Sequence, residues 1–169
     1  PLDIVSTERI SLKTYPDCIS SRIPVCYEVK TYSETITLPD NNDGYIIAYQ
    51  NCCRADSRNV AADPRTISSI PGATYTAIMP GKNILPAGNN SCAVFNLKDT
   101  SLVCYQSQFT LDFSAQDIDG DSLSYAFTNA YDGGSFTSAN DAVGPDQPAY
   151  GTVSYQTGLG FNGTQPLGS

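Results

Sequence analysis

The chain has 169 residues, 40 % of them hydrophobic, with 13 Gly, 11 Pro, 11 Tyr, 1 Met, no Trp and no His. Nine basic residues balance nine acidic ones up to Lys98, so the whole net charge of −8 lies in the last 71 residues, where eight Asp meet no Lys or Arg. No basic patch is left to neutralise phosphates, which excludes nucleic acid as a partner, and the missing imidazole removes the common catalytic base, His-assisted nucleophiles and His-bearing metal sites.

Residues 8–15 (ERISLKTY) alternate apolar and polar side chains, as a half-buried strand does. A second strand is predicted over 25–29 and a third over 31–38 (TYSETITL). The third ends at Pro39-Asp40-Asn41-Asn42-Asp43-Gly44, a strong turn signal. Residues 45–49 (YIIAY) follow, and together with 31–38 they read as a hairpin with a long loop. The polar stretch 55–70 reads as a surface loop, 75–79 as a short strand, and 80–91 as a Gly/Pro/Asn loop. Two more strands, 108–115 (QFTLDFSA) and 122–128 (SLSYAFT), flank an Asp-rich turn, and 150–155 is the last. No helix of ordinary length and no internal repeat is present. The fold class predicted is all-β.

Composition changes near Cys104. A mixed-charge, cysteine-bearing module is expected over residues 1–103 and an acidic module over 104–169. The latter has about three strands, few for a closed sandwich, so its missing strands must come from the first module, from beyond residue 169 or from a partner. The chain opens on Pro1-Leu2-Asp3-Ile4 without a signal-peptide pattern, so a processed protein or a fragment of a longer one is expected. No segment approaches the ~20 apolar residues that span a bilayer.

Cysteines stand at 18, 26, 52, 53, 92 and 104, with no C-x-x-C pair and no His to make a zinc site. An even set in a turn-rich chain predicts disulfides and an oxidising, extracellular setting. Six cysteines allow 15 pairings. Adjacent residues of a strand face opposite sides, so Cys52 and Cys53 would each staple a different element. Cys18 and Cys26 are their expected partners, with Cys92–Cys104 as the local third bridge.

Asp117, Asp119 and Asp121 alternate in Gln116-Asp117-Ile118-Asp119-Gly120-Asp121-Ser122. Three carboxylates this close repel one another and favour a proton or a cation. Oxygen-only ligands with a Gly to tighten the turn suit a hard cation, calcium first, with Asp112 or Asp132 as further ligands. The spacing is not that of an EF-hand, since Gly120 is fourth rather than sixth in the loop. The alternative is an Asp-Gly turn with solvated carboxylates. The triplets Asn89-Asn90-Ser91 and Asn162-Gly163-Thr164 match the N-glycosylation pattern and are read as chance.

Several segments, in order, resemble one family. They are Leu12-Lys13-Thr14-Tyr15-Pro16-Asp17-Cys18, Tyr49-Gln50-Asn51-Cys52-Cys53-Arg54, Asn90-Ser91-Cys92-Ala93-Val94-Phe95, the run from Ala115 through Asp119-Gly120-Asp121-Ser122-Leu123-Ser124-Tyr125, and the close Pro148-Ala149-Tyr150 to Pro166-Leu167-Gly168. Together they resemble the N-terminal region of the gliding-motility-associated, SprB-like surface adhesins of Bacteroidota exported by type IX secretion. The family's members usually continue past the Pro-Leu-Gly segment with further strands, and their cysteine more often precedes the Asn-Ser step that here precedes Cys92.

The resemblance implies a cell-surface adhesin or filament component and no catalysis. The chain is thus expected to be a non-catalytic, extracellular structural or adhesive module of Ig-like or cadherin-like β-sandwich type, stapled by disulfides and holding Ca²⁺. Its expected partners are other modules or copies of the same protein, a polysaccharide or a solid surface. Two other functions compete with this one: a filament subunit assembled by strand exchange, and a carbohydrate-binding module.

Overall fold

A computed structural model describes residues 3–12, 15–21, 24, 26–51, 54–63, 69–85, 90–96, 102–133 and 147–166. Among these the secondary structure is all-β: six strands, no helix, in three two-stranded antiparallel sheets. The chain divides into two compact units of two segments each. The first comprises Pro1–Pro39 and Asn89–Leu123, the second Asp40–Gly88 and Ser124–Ser169. The step in composition expected between residues 103 and 104 falls inside the second segment of the first unit.

In the first unit β1 (Ile4–Ser11) pairs with β2 (Cys26–Tyr32), with a register irregularity between Ile4 and Ser6. β-Branched and aromatic residues supply the strand preference of both. Arg9 stands directly opposite Glu28 and meets its carboxylate at 3.5 Å, while Lys30 lies 3.9 Å from the same side chain. These exposed pairs favour the register by a few tenths of a kcal/mol each. β5 (Val94–Phe95) pairs with β6 (Ala115–Gln116), and Asn96 continues the contact by donating its N–H to the Ser114 carbonyl at 2.9 Å.

In the second unit β3 (Tyr45–Asn51) pairs with β4 (Ala73–Met79) over seven residues in unbroken register. Tyr49 and Tyr75 stand opposite each other with ring centroids 6.3 Å apart. The expected turn at 40–44 forms. Asn41 Oδ1 accepts the Asp43 N–H, Asn41 Nδ2 donates to the Gly44 carbonyl, and Lys82 pairs with Asp40 at 2.6 Å. This turn lies against the one that follows β4, where Lys82 and Asn83 donate their N–H groups to Asn41 and Asn42.

Three sequence expectations are thereby corrected. The hairpin between 31–38 and 45–49 does not form: residues 33–38 are outside any strand, and β3 takes β4 as its partner. Alternation over 31–38 describes side-chain polarity, whereas a strand also needs a neighbour to accept its backbone bonds. For the same reason 108–115 and 122–128 contribute only Ala115, the first residue of β6, to a sheet. The run 150–155 holds two isolated bridges, Thr152 to Tyr131 and Tyr155 to Val60, rather than a continuous ladder.

Among the described residues the most buried apolar side chains are Ala73 and Val153, both in the second unit, accompanied by Thr74, Asp63 and Asp132. Small residues at this centre let backbones approach. A Cβ on Gly72 would lie 2.6 Å from the Asn51 carbonyl oxygen and 2.6 Å from the Gly133 Cα. Thr74 Oγ1 donates to the Asp132 carbonyl and accepts from Gln50 Nε2 at 2.9 Å, so a buried hydroxyl joins β3, β4 and the 130–133 segment.

Candidate functional site

The Asp-rich turn sits in the first unit, just after β6. Gly120 has φ +81°, in the left-handed region open to glycine, and its N–H donates to the Asp117 carbonyl at 3.3 Å. Asp117 Oδ1 accepts the N–H groups of Asp119 at 2.8 Å and Asp121 at 3.4 Å. Asp119 Oδ2 accepts the Ser91 N–H at 2.5 Å, tying the turn to the segment that leads into β5. The backbone of the loop is therefore organised by its own carboxylates.

Among the described residues no three Asp, Glu, Cys or His side chains converge into a cage. Asp117 and Asp119 each commit one oxygen to backbone N–H groups, which leaves one oxygen on each and the Asp121 carboxylate as hard, oxygen-only donors of the type calcium takes. Asp112, a further expected ligand, is engaged otherwise. Its Oδ1 accepts the Ser114 N–H at 2.8 Å, and that bond, with a second from the Ser114 side chain, holds its carboxyl below the ordinary value of 3.8. Asp132 belongs to the second unit.

The cysteines depart from the expected pairing. Cys18 is bonded to Cys104, 86 residues away. Cys26 and Cys92 are exposed free thiols, and Cys52 and Cys53 lie outside the described residues. Nearness in sequence favoured Cys92–Cys104, but the two segments of the first unit fold together and bring the turn at 17–18 to the turn at 105–106. Backbone bonds from Ile19 to Pro16 and from Ser107 to Cys104 fix those turns. The Asn162 side chain is consumed locally, its Oδ1 accepting from the Thr164 N–H, the Thr164 hydroxyl and the Gln165 N–H.

A second site, in the second unit, has no counterpart among the sequence expectations. The polar loop after β3 is closed by two backbone bonds, Arg54 N–H to the Pro71 carbonyl and Asp63 N–H to the Ser69 carbonyl. It is then tied to the chain near 155, where Ala61 donates to Ser154 and Gln156 donates to Asn59. The described residues of the loop border a half-open cavity of about 480 Å³, lined among others by Arg54, Ser57, Arg58, Ile70, Pro71 and Gln156. Next to it a smaller cavity of about 260 Å³ is lined by Asp63, Asp132 and Val153. The available signal was two of the nine basic residues, Arg54 and Arg58, four positions apart in a polar loop. Nothing in the linear pattern says that this loop folds back into a concavity. No helix of the described residues is long and apolar enough to cross a membrane. Compared with protein-family models, with characterised proteins and with solved structures, the chain matches none.

Proposed function

We propose that the chain is a non-catalytic, extracellular structural and adhesive module of Ig-like or cadherin-like type, displayed at a cell surface and stiffened by disulfide bonding and by Ca²⁺ at the Asp117–Asp121 turn. One observation carries the reading: the Cys18–Cys104 bridge ties the two segments of the first unit together across 86 residues. Persistent bridges belong to oxidising compartments, and closing a long loop is where a bridge restrains an unfolded chain most. The acidic turn supports the cation by its donor chemistry, with Asp117, Asp119 and Asp121 as the groups that would hold it. The absence of His and the placing of Asp in turns support a role without catalysis. The ordered resemblance to SprB-like adhesins supports surface display.

A filament subunit completed by strand exchange is the second reading. It is favoured by the small sheets: each has two strands, so every described strand has an outer edge outside its ladder.

Thermal unfolding of the oxidised chain in millimolar Ca²⁺ and again in EDTA tests the first reading. A rise in melting temperature with Ca²⁺, lost in Asp117→Asn/Asp119→Asn, is the expected result, since a ligand bound by the folded state stabilises it by mass action. Equal melting with and without Ca²⁺ would remove the cation from the proposal. Free thiols at Cys18 and Cys104 in protein recovered from its native location would remove the extracellular setting. Concentration-dependent assembly at neutral pH would move the weight to the filament.

A further inference from the structure

The cavity bordered by the loop after β3 has the wrong charge for its chain. In a molecule of net charge −8 it is lined by two guanidinium groups, Arg54 and Arg58, against one carboxylate, Asp56. The two arginines are held differently. Arg54 is fixed in place: Nε donates to the Gly72 carbonyl at 2.8 Å and Nη2 to the Tyr131 carbonyl. Those partners are neutral, so the cation keeps its charge and the Nη1 donors. Arg58 is exposed and makes no side-chain hydrogen bond or ion pair among the described residues. Its whole planar fork is open to a ligand.

Two guanidinium groups at one cavity without an ion pair to either repel each other, and an anion between them relieves that. The volume of about 480 Å³ lies within the range of small-molecule sites. The remaining wall has an apolar side, Ile70 and Pro71, and polar groups from Ser57 and Gln156. An inorganic ion would leave the apolar side unused. A dianion such as phosphate would also face Asp56, whereas a single carboxylate leaves the three charged side chains and the ligand neutral together.

We propose that this cavity binds a carboxylate attached to a polar carbon skeleton, as in a uronic acid, with its oxygens held by Arg58 and by Nη1 of Arg54. Arg54 acts as the fixed half of the clamp and Arg58 as the mobile half. The ligand reaches the site either as a free sugar acid or as a uronate unit of an acidic polysaccharide. The inference goes beyond the mechanical role proposed above and stands on the cavity alone, so neither calcium binding nor surface display is needed for it.

The test is titration of the full-length, oxidised chain with glucuronate, glucose, inorganic phosphate and an oligogalacturonate, followed by NMR of the arginine Nε–H signals and by calorimetry. Glucuronate is expected to bind and to shift the Arg58 signal, with glucose showing no binding. Arg58→Gln is the informative variant, because Arg58 supports no other part of the fold, whereas Arg54→Gln would also release the Gly72 and Tyr131 carbonyls. Loss of one charge-assisted bond weakens glucuronate binding by about tenfold or more. Tighter binding of the oligomer than of the monomer assigns the polysaccharide source, and equal binding per uronate assigns the free acid. Absence of glucuronate binding, equal affinity in Arg58→Gln, equal affinity for glucose, or preference for phosphate would each overturn the proposal.

Discussion

Cys18 and Cys104 are covalently joined although 86 residues separate them, and each sits at a tight turn in a different segment of the first unit. Everything between them, including the whole first segment of the second unit, lies within the loop that this bridge closes. In the chain-entropy account a loop of this length removes about 4–5 kcal/mol of freedom from the unfolded state. Cys18→Ser/Cys104→Ser is therefore expected to unfold at lower denaturant by roughly 2–4 kcal/mol, the usual range for losing such a bridge. Reduction of the parent chain should cost at least as much. A chain whose midpoint is unmoved by both changes would show that the bridge constrains nothing.

Strand character was legible in the sequence and partnership was not. The alternation at 8–15, the apolar run at 45–49 and the run at 75–79 all lie in or overlap strands β1, β3 and β4. The same kind of alternation at 33–38, past the end of β2, and at 122–128 lies outside the described strands. The difference is which backbone comes alongside, and that depends on segments far apart in sequence folding together. The same limit governs the sites. The Asp-rich turn is local, so Gly120 and the bonds onto Asp117 follow from spacing alone. The Cys18–Cys104 bridge and the Arg54–Arg58 cavity depend on long-range closure, and no spacing announces it.

Tyr49 and Tyr75 are a directly opposed cross-strand pair, stacked at 28° and both exposed. Opposed aromatic rings on a two-stranded ladder stabilise it by about 0.5–1 kcal/mol beyond the area they cover. A double-mutant cycle of Tyr49→Ala and Tyr75→Ala should return a coupling energy of that size, while Tyr49→Ala with the distant Ile84→Ala should be additive. Additivity within the Tyr pair would mean that the rings hold no register.

Gly72 and Gly133 meet backbone to backbone beside the Asn51 carbonyl, in the most buried part of the second unit. A methyl group at Gly72 would sit 2.6 Å from that oxygen and from the Gly133 Cα, atoms that belong to backbone and have no rotamer to yield. Gly72→Ala is expected to cost about 1–3 kcal/mol, the usual range for overpacking. The control is Gly120→Ala, where a Cβ meets nothing within 4 Å and the cost comes only from its φ of +81°. Denaturant midpoints of the two variants separate crowding from backbone conformation.

Asp112 sets the expected response to acid. Its carboxylate accepts the Ser114 N–H and the Ser114 hydroxyl, and both bonds favour the ionised form, so the folded-state pKa lies below the ordinary value of 3.8. For a carboxyl depressed on folding, the stabilisation is fully present above the unfolded pKa and is lost as the pH falls through the folded one. The pH dependence it contributes is therefore confined to pH below about 4, while the stabilisation itself is present in full at neutral pH, so Asp112→Asn should lower stability there and flatten the loss seen on acidification. Carbon-detected NMR of the Asp112 carboxyl should show a titration midpoint under 3.8. In Ser114→Ala the midpoint should move only part of the way back, because the backbone bond, the larger of the two causes, survives the substitution. A full return to the ordinary value in that variant would assign the whole depression to the hydroxyl and leave the Asp112–Ser114 backbone bond without effect on the charge.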